Sequence, residues 1–502
     1  MLRFAWQTLA LARVPRRDPE RVRALARRRL VRLVRHAIAY SPYYRERYRS
    51  IDPRRFRLEE LPPSSKNELM ARFDEVVTDP AIKRADLEQF VDSPANEGRW
   101  FLDRYAPSHT SGSQGQPMLL VQPRATVELL FSLQMTRGNA RRASLGEAIR
   151  RFVRPARLAV VTLKRGFYPS ASAFEYMPPV AQRFVKLLWL SQTDDDVIDR
   201  LNAFRPTALT AYAGVLELLA IEAQAGRLRL APELAQITNN SEVLTERARD
   251  RVESAFGLRV MDNYATGECA FLTNGCRTDK GAHVNADWAI LENVDKAGNA
   301  VPAGTPGARV LITNLANYVQ PIIRYEIGDE VTMAQGPCSC GNLLPRVEHI
   351  EGRSADTFWI KDGDRDRTVI GSVFKNAFDY IREVREWQAI QVERNRVRIR
   401  LEPLPGERVD LERARSMLSW QLDLYGFLPL LQIDFEVVPR LLPDPGTGKY
   451  RRMKSEVGAP LEQLRTIRID GPETSASGPH RTLPVAPKSK RKRDTASGDA
   501  TH

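Results

Sequence analysis

His109-Thr110-Ser111-Gly112-Ser113-Gln114-Gly115-Gln116-Pro117 is the stretch on which the reading of this 502-residue chain turns. It brings three hydroxyls and two glycines into nine residues. Glycines let backbone N–H groups approach an anion closely, and hydroxyls add donors, which is what a polyphosphate requires. Ser/Gly-rich stretches also serve as plain polar surface loops, so this one alone leaves both readings open.

Outward from it, the region of about 100–350 alternates short apolar runs with amphipathic stretches. Leu158–Leu163 reads as a strand, 214–225 as a helix, Leu258–Met261 as a strand, and 308–333 as closely spaced strands. That alternation is an α/β pattern. Toward the N-terminus, 20–60 reads as helical and ends in the turn Leu61-Pro62-Pro63-Ser64-Ser65. After Gly352 the order changes to strand, turn and strand over 387–402, helix over 408–425 and strand over 431–438, a small α+β unit. From Gly471 onward Ser, Pro, Thr, Lys and Arg dominate without periodicity, which predicts a disordered tail.

The net charge of +14 is concentrated in residues 1–60, where 17 Arg face 6 acidic residues. Leu25, Leu30, Leu33, Val34 and Ile38 recur at helical spacing, leaving Arg23, Arg27, Arg28, Arg32 and Arg35 largely off that face. The pattern fits a solvated helix packed on an enzyme body, or a peripheral contact with anionic lipid or an acidic partner. It has neither zinc-finger helix spacing nor base-stacking motifs, so no nucleic-acid partner is expected. No run of 18 apolar residues and no secretory cleavage pattern appear, which makes the cytoplasm the expected location.

The four cysteines lie between 269 and 340. Cys276, His283, Cys338 and Cys340 supply three thiolates and an imidazole, a closed tetrahedral set for a structural Zn²⁺. Buried free cysteines beside a coincidental histidine are the alternative. Cys269 stands outside the set, next to Glu268.

The loop is followed in order by Tyr264-Ala265-Thr266-Gly267-Glu268, Arg324-Tyr325-Glu326-Ile327-Gly328-Asp329, Gly352-Arg353-Ser354-Ala355-Asp356 and Thr447-Gly448-Lys449. In that order the motifs resemble the adenylate-forming superfamily, and within it the phenylacetate–coenzyme A ligase branch and its CapK-type relatives. Ser41-Pro42-Tyr43-Tyr44-Arg45, the run Ser241–Arg249, and His283-Val284-Asn285 within the cysteine–histidine pattern resemble the same branch. The resemblance covers about residues 20–457. It implies an α/β fold with a large N-terminal domain of mixed sheets over 1–352, whose first 100 residues are mainly helical. A small mobile α+β domain over 353–470 and a basic tail over 471–502 complete the expectation.

The resemblance also implies a function: a carboxylic acid is activated with ATP as acyl-AMP, pyrophosphate leaves, and the acyl group passes to coenzyme A. The implied nucleotide residues are Thr110, Ser111, Gly112, Ser113, Gln114, Gly115, Ser241, Glu242, Asn263, Tyr264, Asp329 and Arg353. Glu268 is implied as a ligand to Mg²⁺, a role that its hard oxygens suit. Lys449 is implied as the lysine that meets the reacting carboxylate and α-phosphate, where negative charge develops. Tyr212, Ala213 and Gly214 are implied in the acyl pocket. Gln114, Gly267 and Ala355 depart from the family pattern; Ala355 stands at the hinge where a carboxylate is usual. These departures keep two alternatives open: an adenylating enzyme with a non-coenzyme A acceptor, and a non-catalytic nucleotide-binding relative. A homodimer is compatible with either.

Overall fold

Asp18 starts the helical N-terminal region by accepting the Glu20 N–H, with Pro19 at the first helical position, where its missing N–H costs no hydrogen bond. The computed structural model describes residues 8, 10–110, 117–137, 155–162, 167–169, 173–191, 194, 196–241, 244, 246–353, 357–363, 365–378, 381–424, 426–442 and 451–457. Helix α1 (Pro19–Tyr40) ends at Ser41, whose hydroxyl accepts the Tyr44 N–H and so starts α2 (Pro42–Arg47). The buried face of α1 is Val22, Ala26, Leu30, Leu33, Val34 and Ala37. The expected face is therefore rotated slightly: Leu25 and Ile38 are only half-buried, while Val22, Ala26 and Ala37 join the buried face.

Apart from Arg23, which pairs with Glu20, the arginines of α1 divide into two groups. Arg27 donates to the Phe56 carbonyl and lies over the Phe56 ring. Arg29 lies 3.4 Å from the Trp288 ring centroid and bonds Asp287. Arg21, Arg28, Arg32 and Arg35 are exposed and form no salt bridge among the described residues. Behind Arg29, the buried Arg137 guanidinium forks onto Asp287 at 2.6 and 3.0 Å and reaches Asn285 at 2.9 Å. A buried charge is stable only when paired in this way.

Among the described residues a five-stranded parallel sheet forms the centre of the α/β region, in the order β4-β3-β5-β6-β7. Its strands are β3 (Ala156–Thr162), β4 (Val185–Ser191), β5 (Ala208–Ala211), β6 (Gln236–Asn240) and β7 (Val260–Asn263). Val160, Val161, Leu209 and Ile237 are fully buried, as strands covered on both faces require. Helices α3 (Val197–Phe204), α4 (Ala213–Gln224) and α5 (Glu246–Phe256) follow β4, β5 and β6. Two further strands, β1 (Tyr105–His109) and β2 (Leu119–Pro123), pair antiparallel on either side of the Ser/Gly-rich loop.

Two antiparallel sheets follow. One is β10 (Ala289–Val294), β11 (Arg309–Asn314) and β12 (Ile322–Ile327); the other has the order β13-β14-β9-β8. Its strands are β8 (Thr273–Gly275), β9 (Ala282–Val284), β13 (Asp329–Met333) and β14 (Arg346–Arg353). Beyond β14, the hairpin β15 (Thr357–Asp362) and β16 (Arg365–Ile370) leads to α6 (Gly371–Phe378). A mixed sheet β19-β18-β17-β20 then forms from β17 (Val384–Glu393), β18 (Arg396–Pro403), β19 (Gln432–Val437) and β20 (Met453–Ser455), with α7 (Leu411–Leu424) between β18 and β19. Phe358, Phe374, Phe378, Trp387, Leu401 and Leu418 form a core of their own there. No helix among the described residues is long and apolar enough to cross a membrane. The tail expected over 471–502 lies outside the described residues.

Candidate active site and metal centre

Three neighbouring parallel strands end directly on residues of the expected site. Tyr212 follows β5, Ser241 follows β6 and Tyr264 follows β7. Ligands of open α/β sheets bind at this carboxyl edge, where loops leave the strands. Tyr212 is buried and precedes the first turn of α4, which contains Ala213 and Gly214. Ser241 is exposed and takes the left-handed conformation, φ 68°. Glu242 lies outside the described residues.

Asn263 locks the strand ends together. Its Nδ2 donates to Asn240 Oδ1 at 3.0 Å, and its Oδ1 accepts the Gly275 N–H at 2.7 Å. Tyr264 then exchanges hydrogen bonds with Thr273: its N–H donates to Oγ1 at 2.8 Å, and the hydroxyl donates back to its carbonyl at 2.7 Å. The Tyr264 phenol donates to Asp329 Oδ2 at 2.9 Å, and both residues are buried. Across the β13–β14 ladder Arg353 is the backbone partner of Asp329. The fold thus brings Asn263, Tyr264, Asp329 and the backbone of Arg353 together from distant parts of the chain.

Glu268 lies on the turn after Tyr264, nearly buried, and its carbonyl accepts from Asn314 Nδ2 at 2.8 Å. Gly267 precedes it where the family pattern has a side chain, and the space explains the difference. A Cβ there would meet Leu120 at 3.0 Å, Pro169 at 3.1 Å and Thr110 at 3.2 Å. The turn therefore presses against the base of the Ser/Gly-rich loop, where Thr110 N donates to the Met118 carbonyl and Met118 N to Thr110 Oγ1, both at 2.9 Å. Ser111, Gly112, Ser113, Gln114 and Gly115 lie outside the described residues, as do Ala355 and Lys449. The chain on either side of 443–450 is tied to one sheet: Leu441 N donates to Glu402, and Arg452 bonds Glu386 and covers Trp387.

Cys276, His283, Cys338 and Cys340 meet at the opposite end of the β13-β14-β9-β8 sheet. Cys276 follows β8, His283 lies in β9, and the other two sit on the β13–β14 connection. Their ligand atoms all lie within 4.8 Å of one another. Cys276 and Cys338 sulfurs are 3.4 Å apart, and Cys340 Sγ is 3.3 Å from His283 Nε2. Tetrahedral bonds of about 2.3 Å would set two sulfurs roughly 3.8 Å apart, so the donors fit a Zn²⁺-sized ion. His283 Nδ1 faces the Leu344 carbonyl at 3.1 Å. A carbonyl only accepts, so Nδ1 carries a proton and Nε2 is the ring nitrogen that faces the cluster.

Burial opposes ionisation of Cys276, but hydrogen bonds with His283, Thr278 and the backbone of Asp279 outweigh it and bring the thiol down to about 5. Burial pushes Cys338 and Cys340 up. Cys269 is fully buried outside the cluster, and burial raises it too. Asp279, missed from sequence, binds the Ser339 N–H at 2.9 Å and Cys338 Sγ at 3.1 Å. An Asp three residues after Cys276 carries no sequence signal that separates it from a turn residue.

A parallel sheet with nucleotide-type residues along its carboxyl edge, followed by a small α+β unit, is the architecture of the adenylate-forming ligases. No protein-family model matches the chain. The fold is that of 2-hydroxyisobutyryl-CoA ligase, solved in the postadenylation state with R3-HIB-AMP: TM-score 0.66, 20% identity, 89% of this chain and 91% of that one. The same ligase with 2-HIB-AMP and CoA in its thioesterification state matches at TM-score 0.55 and 21% identity, over 88% of this chain and 92% of that one. In sequence the chain is 25% identical over 353 residues to phenylacetate-coenzyme A ligase of Thermus thermophilus, covering 68% of this chain and 72% of that protein. It is 27% identical over 161 residues to protein CapK of Staphylococcus aureus, a match spanning 32% of this chain and 34% of CapK. In fold and in sequence the chain is similar to members of the adenylate-forming superfamily. Its particular likeness within that class is to phenylacetate-coenzyme A ligase and CapK.

Proposed function

We propose that the protein is an acid–thiol ligase: it activates a carboxylic acid with ATP as acyl-AMP, releasing pyrophosphate, and transfers the acyl group to coenzyme A. The observation that carries this reading is the Tyr264–Asp329 hydrogen bond at the carboxyl edge of the parallel sheet, beside Glu268 and the Thr110 end of the loop. Asp329 and Arg353 meet the ribose and phosphate, Tyr264 flanks the adenine, and Ser241, Glu242 and Asn263 line the nucleotide. The loop Thr110–Gly115 cradles the triphosphate, and Glu268 holds the Mg²⁺ that accompanies it. The acid carboxylate attacks the α-phosphorus without a general base, because it is already an anion at neutral pH. Lys449 offsets the charge that builds on the reacting oxygens. Tyr212, Ala213 and Gly214 border the acyl group.

Cys276, His283, Cys338 and Cys340 hold a structural Zn²⁺ in this reading, since a closed set of four protein donors leaves no position for a reactant. The exposed arginines of α1 give the cytoplasmic enzyme a peripheral contact with anionic lipid; like charges spaced three to seven residues apart on a helix are otherwise mutually repulsive. The similarity to CapK and the alanine at hinge position 355 favour a second reading in which a non-thiol nucleophile accepts the acyl group. Acid-dependent exchange of labelled pyrophosphate into ATP tests the first half-reaction against a panel of aryl and aliphatic acids. No exchange with any acid would refute it. Coenzyme A thioester formation then separates the two acceptors.

A further inference from the structure

From the last residue of β11 toward β12, three amide side chains spaced three residues apart, Asn314, Asn317 and Gln320, are buried to within 4% of complete. Loop amides usually face water, so burial of three in succession requires partners for each. Asn314 Oδ1 accepts the N–H groups of Ala316 and Asn317, and Asn317 Oδ1 accepts those of Val319 and Gln320. These bonds shape the loop and leave the amide nitrogens directed elsewhere.

The outward bonds reach two parts of the site. Asn317 Nδ2 donates to the Val121 carbonyl at 2.8 Å. Gln320 Oε1 accepts the Val121 N–H at 3.0 Å, and its Nε2 donates to the Leu119 carbonyl at 2.9 Å. The Gln320 side chain thus pairs with β2 as a neighbouring strand would. Asn314 Nδ2 donates instead to the Glu268 carbonyl at 2.8 Å. One loop therefore grips both β2, which begins beside the Thr110–Met118 closure, and the turn bearing Glu268.

We infer that Asn314, Asn317 and Gln320 are positioning residues that set the spacing between Glu268 and the Thr110–Met118 closure, and so present the triphosphate and its cation in register. The inference rests on the adenylation reading given above. Positioning of this kind is sensitive to sub-ångström displacement, and the effect appears in the reactant that the displaced groups hold.

Gln320→Met keeps the side-chain length and removes both of its hydrogen bonds to β2, leaving the Asn317 bond in place. It raises KM for MgATP at least tenfold in pyrophosphate exchange, leaves KM for the acid within twofold, and accelerates amide exchange in the peptide 117–124. Asn314→Ala raises the half-saturating Mg²⁺ concentration at least fivefold without altering exchange in that peptide, and it carries the test should Gln320→Met not fold. An unchanged KM for MgATP in Gln320→Met, an equal rise in both KM values, or an unchanged Mg²⁺ requirement in Asn314→Ala overturns the inference. Calorimetric binding of a non-hydrolysable ATP analogue separates the two levels of the argument. Wild-type protein that binds the analogue but exchanges no pyrophosphate refutes adenylation, while tenfold weaker binding by Gln320→Met still supports the positioning role and equal binding overturns it.

Discussion

Replacing Tyr264 with Phe removes one oxygen and leaves the ring packing intact, so it isolates the phenol-to-carboxylate bond. Tyr264 is 5% and Asp329 7% exposed, and the bond is 2.9 Å long. Solvent therefore has little access to substitute for the lost donor. A hydrogen bond to a charged group is worth roughly 1.5–3 kcal/mol. With a factor of ten per 1.4 kcal/mol, KM for ATP should rise about 10- to 150-fold if the bond holds Asp329 in its nucleotide-binding orientation. The acid does not touch this pair in the proposed arrangement, so KM for the acid should change less than twofold. Pyrophosphate exchange at saturating acid, with ATP varied, measures the effect. A KM for ATP within twofold of wild type, in a variant that melts normally, would refute the reasoning that Tyr264 orients Asp329.

Gly267→Thr restores the family residue but forces a Cβ to within 3.0–3.2 Å of Leu120, Pro169 and Thr110. Overpacking of this kind costs about 1–3 kcal/mol, so urea denaturation should show lower stability and exchange activity should fall; a gain in activity would contradict the packing argument. Arg137→Met leaves the buried Asp287 carboxylate with Arg29 at 3.3 Å as its remaining ion pair, and equilibrium unfolding should register a loss of at most about 3–5 kcal/mol; a loss below about 1 kcal/mol would show the Arg137 pair to be dispensable. Elemental analysis should find one zinc per chain, with Cys340→Ser or a strong chelator lowering the melting temperature; a metal-free protein whose melting is indifferent to chelator would remove the ion from the account. Substituting Arg21, Arg28, Arg32 and Arg35 together with Gln should abolish salt-sensitive co-sedimentation with vesicles of anionic but not zwitterionic lipid. Equal sedimentation of the variant would end the membrane reading.

The α/β core was legible because strands covered on both faces must be apolar throughout, as Ala159-Val160-Val161 is. The convergence of Cys276, His283, Cys338 and Cys340 was legible because three cysteines and a histidine form a donor set that suits a metal ion. On α1 the periodicity was right, but weighting by large side chains displaced the buried face, since Ala26 and Ala37 belong to it and Leu25 and Ile38 do not. Contacts between distant positions left no trace in the sequence. Tyr264 meets Asp329 across 65 residues, and Arg137 meets Asp287 across 150. Gly267 looked like a loss from the motif; in the fold, Leu120, Pro169 and Thr110 lie 3.0–3.2 Å from where its Cβ would stand. Nothing in the sequence singled out Asn314, Asn317 and Gln320, because the groups their amides bond lie far away in sequence.

The central claim is that this protein makes an acyl-adenylate. Mass spectrometry of a single-turnover mixture of enzyme, MgATP and an acid panel, without coenzyme A, tests it most directly. The account predicts an enzyme-bound acyl-AMP from at least one acid, absent with Lys449→Ala and consumed to a thioester when coenzyme A is added. Release of ADP and phosphate with no adenylate from any acid would contradict it.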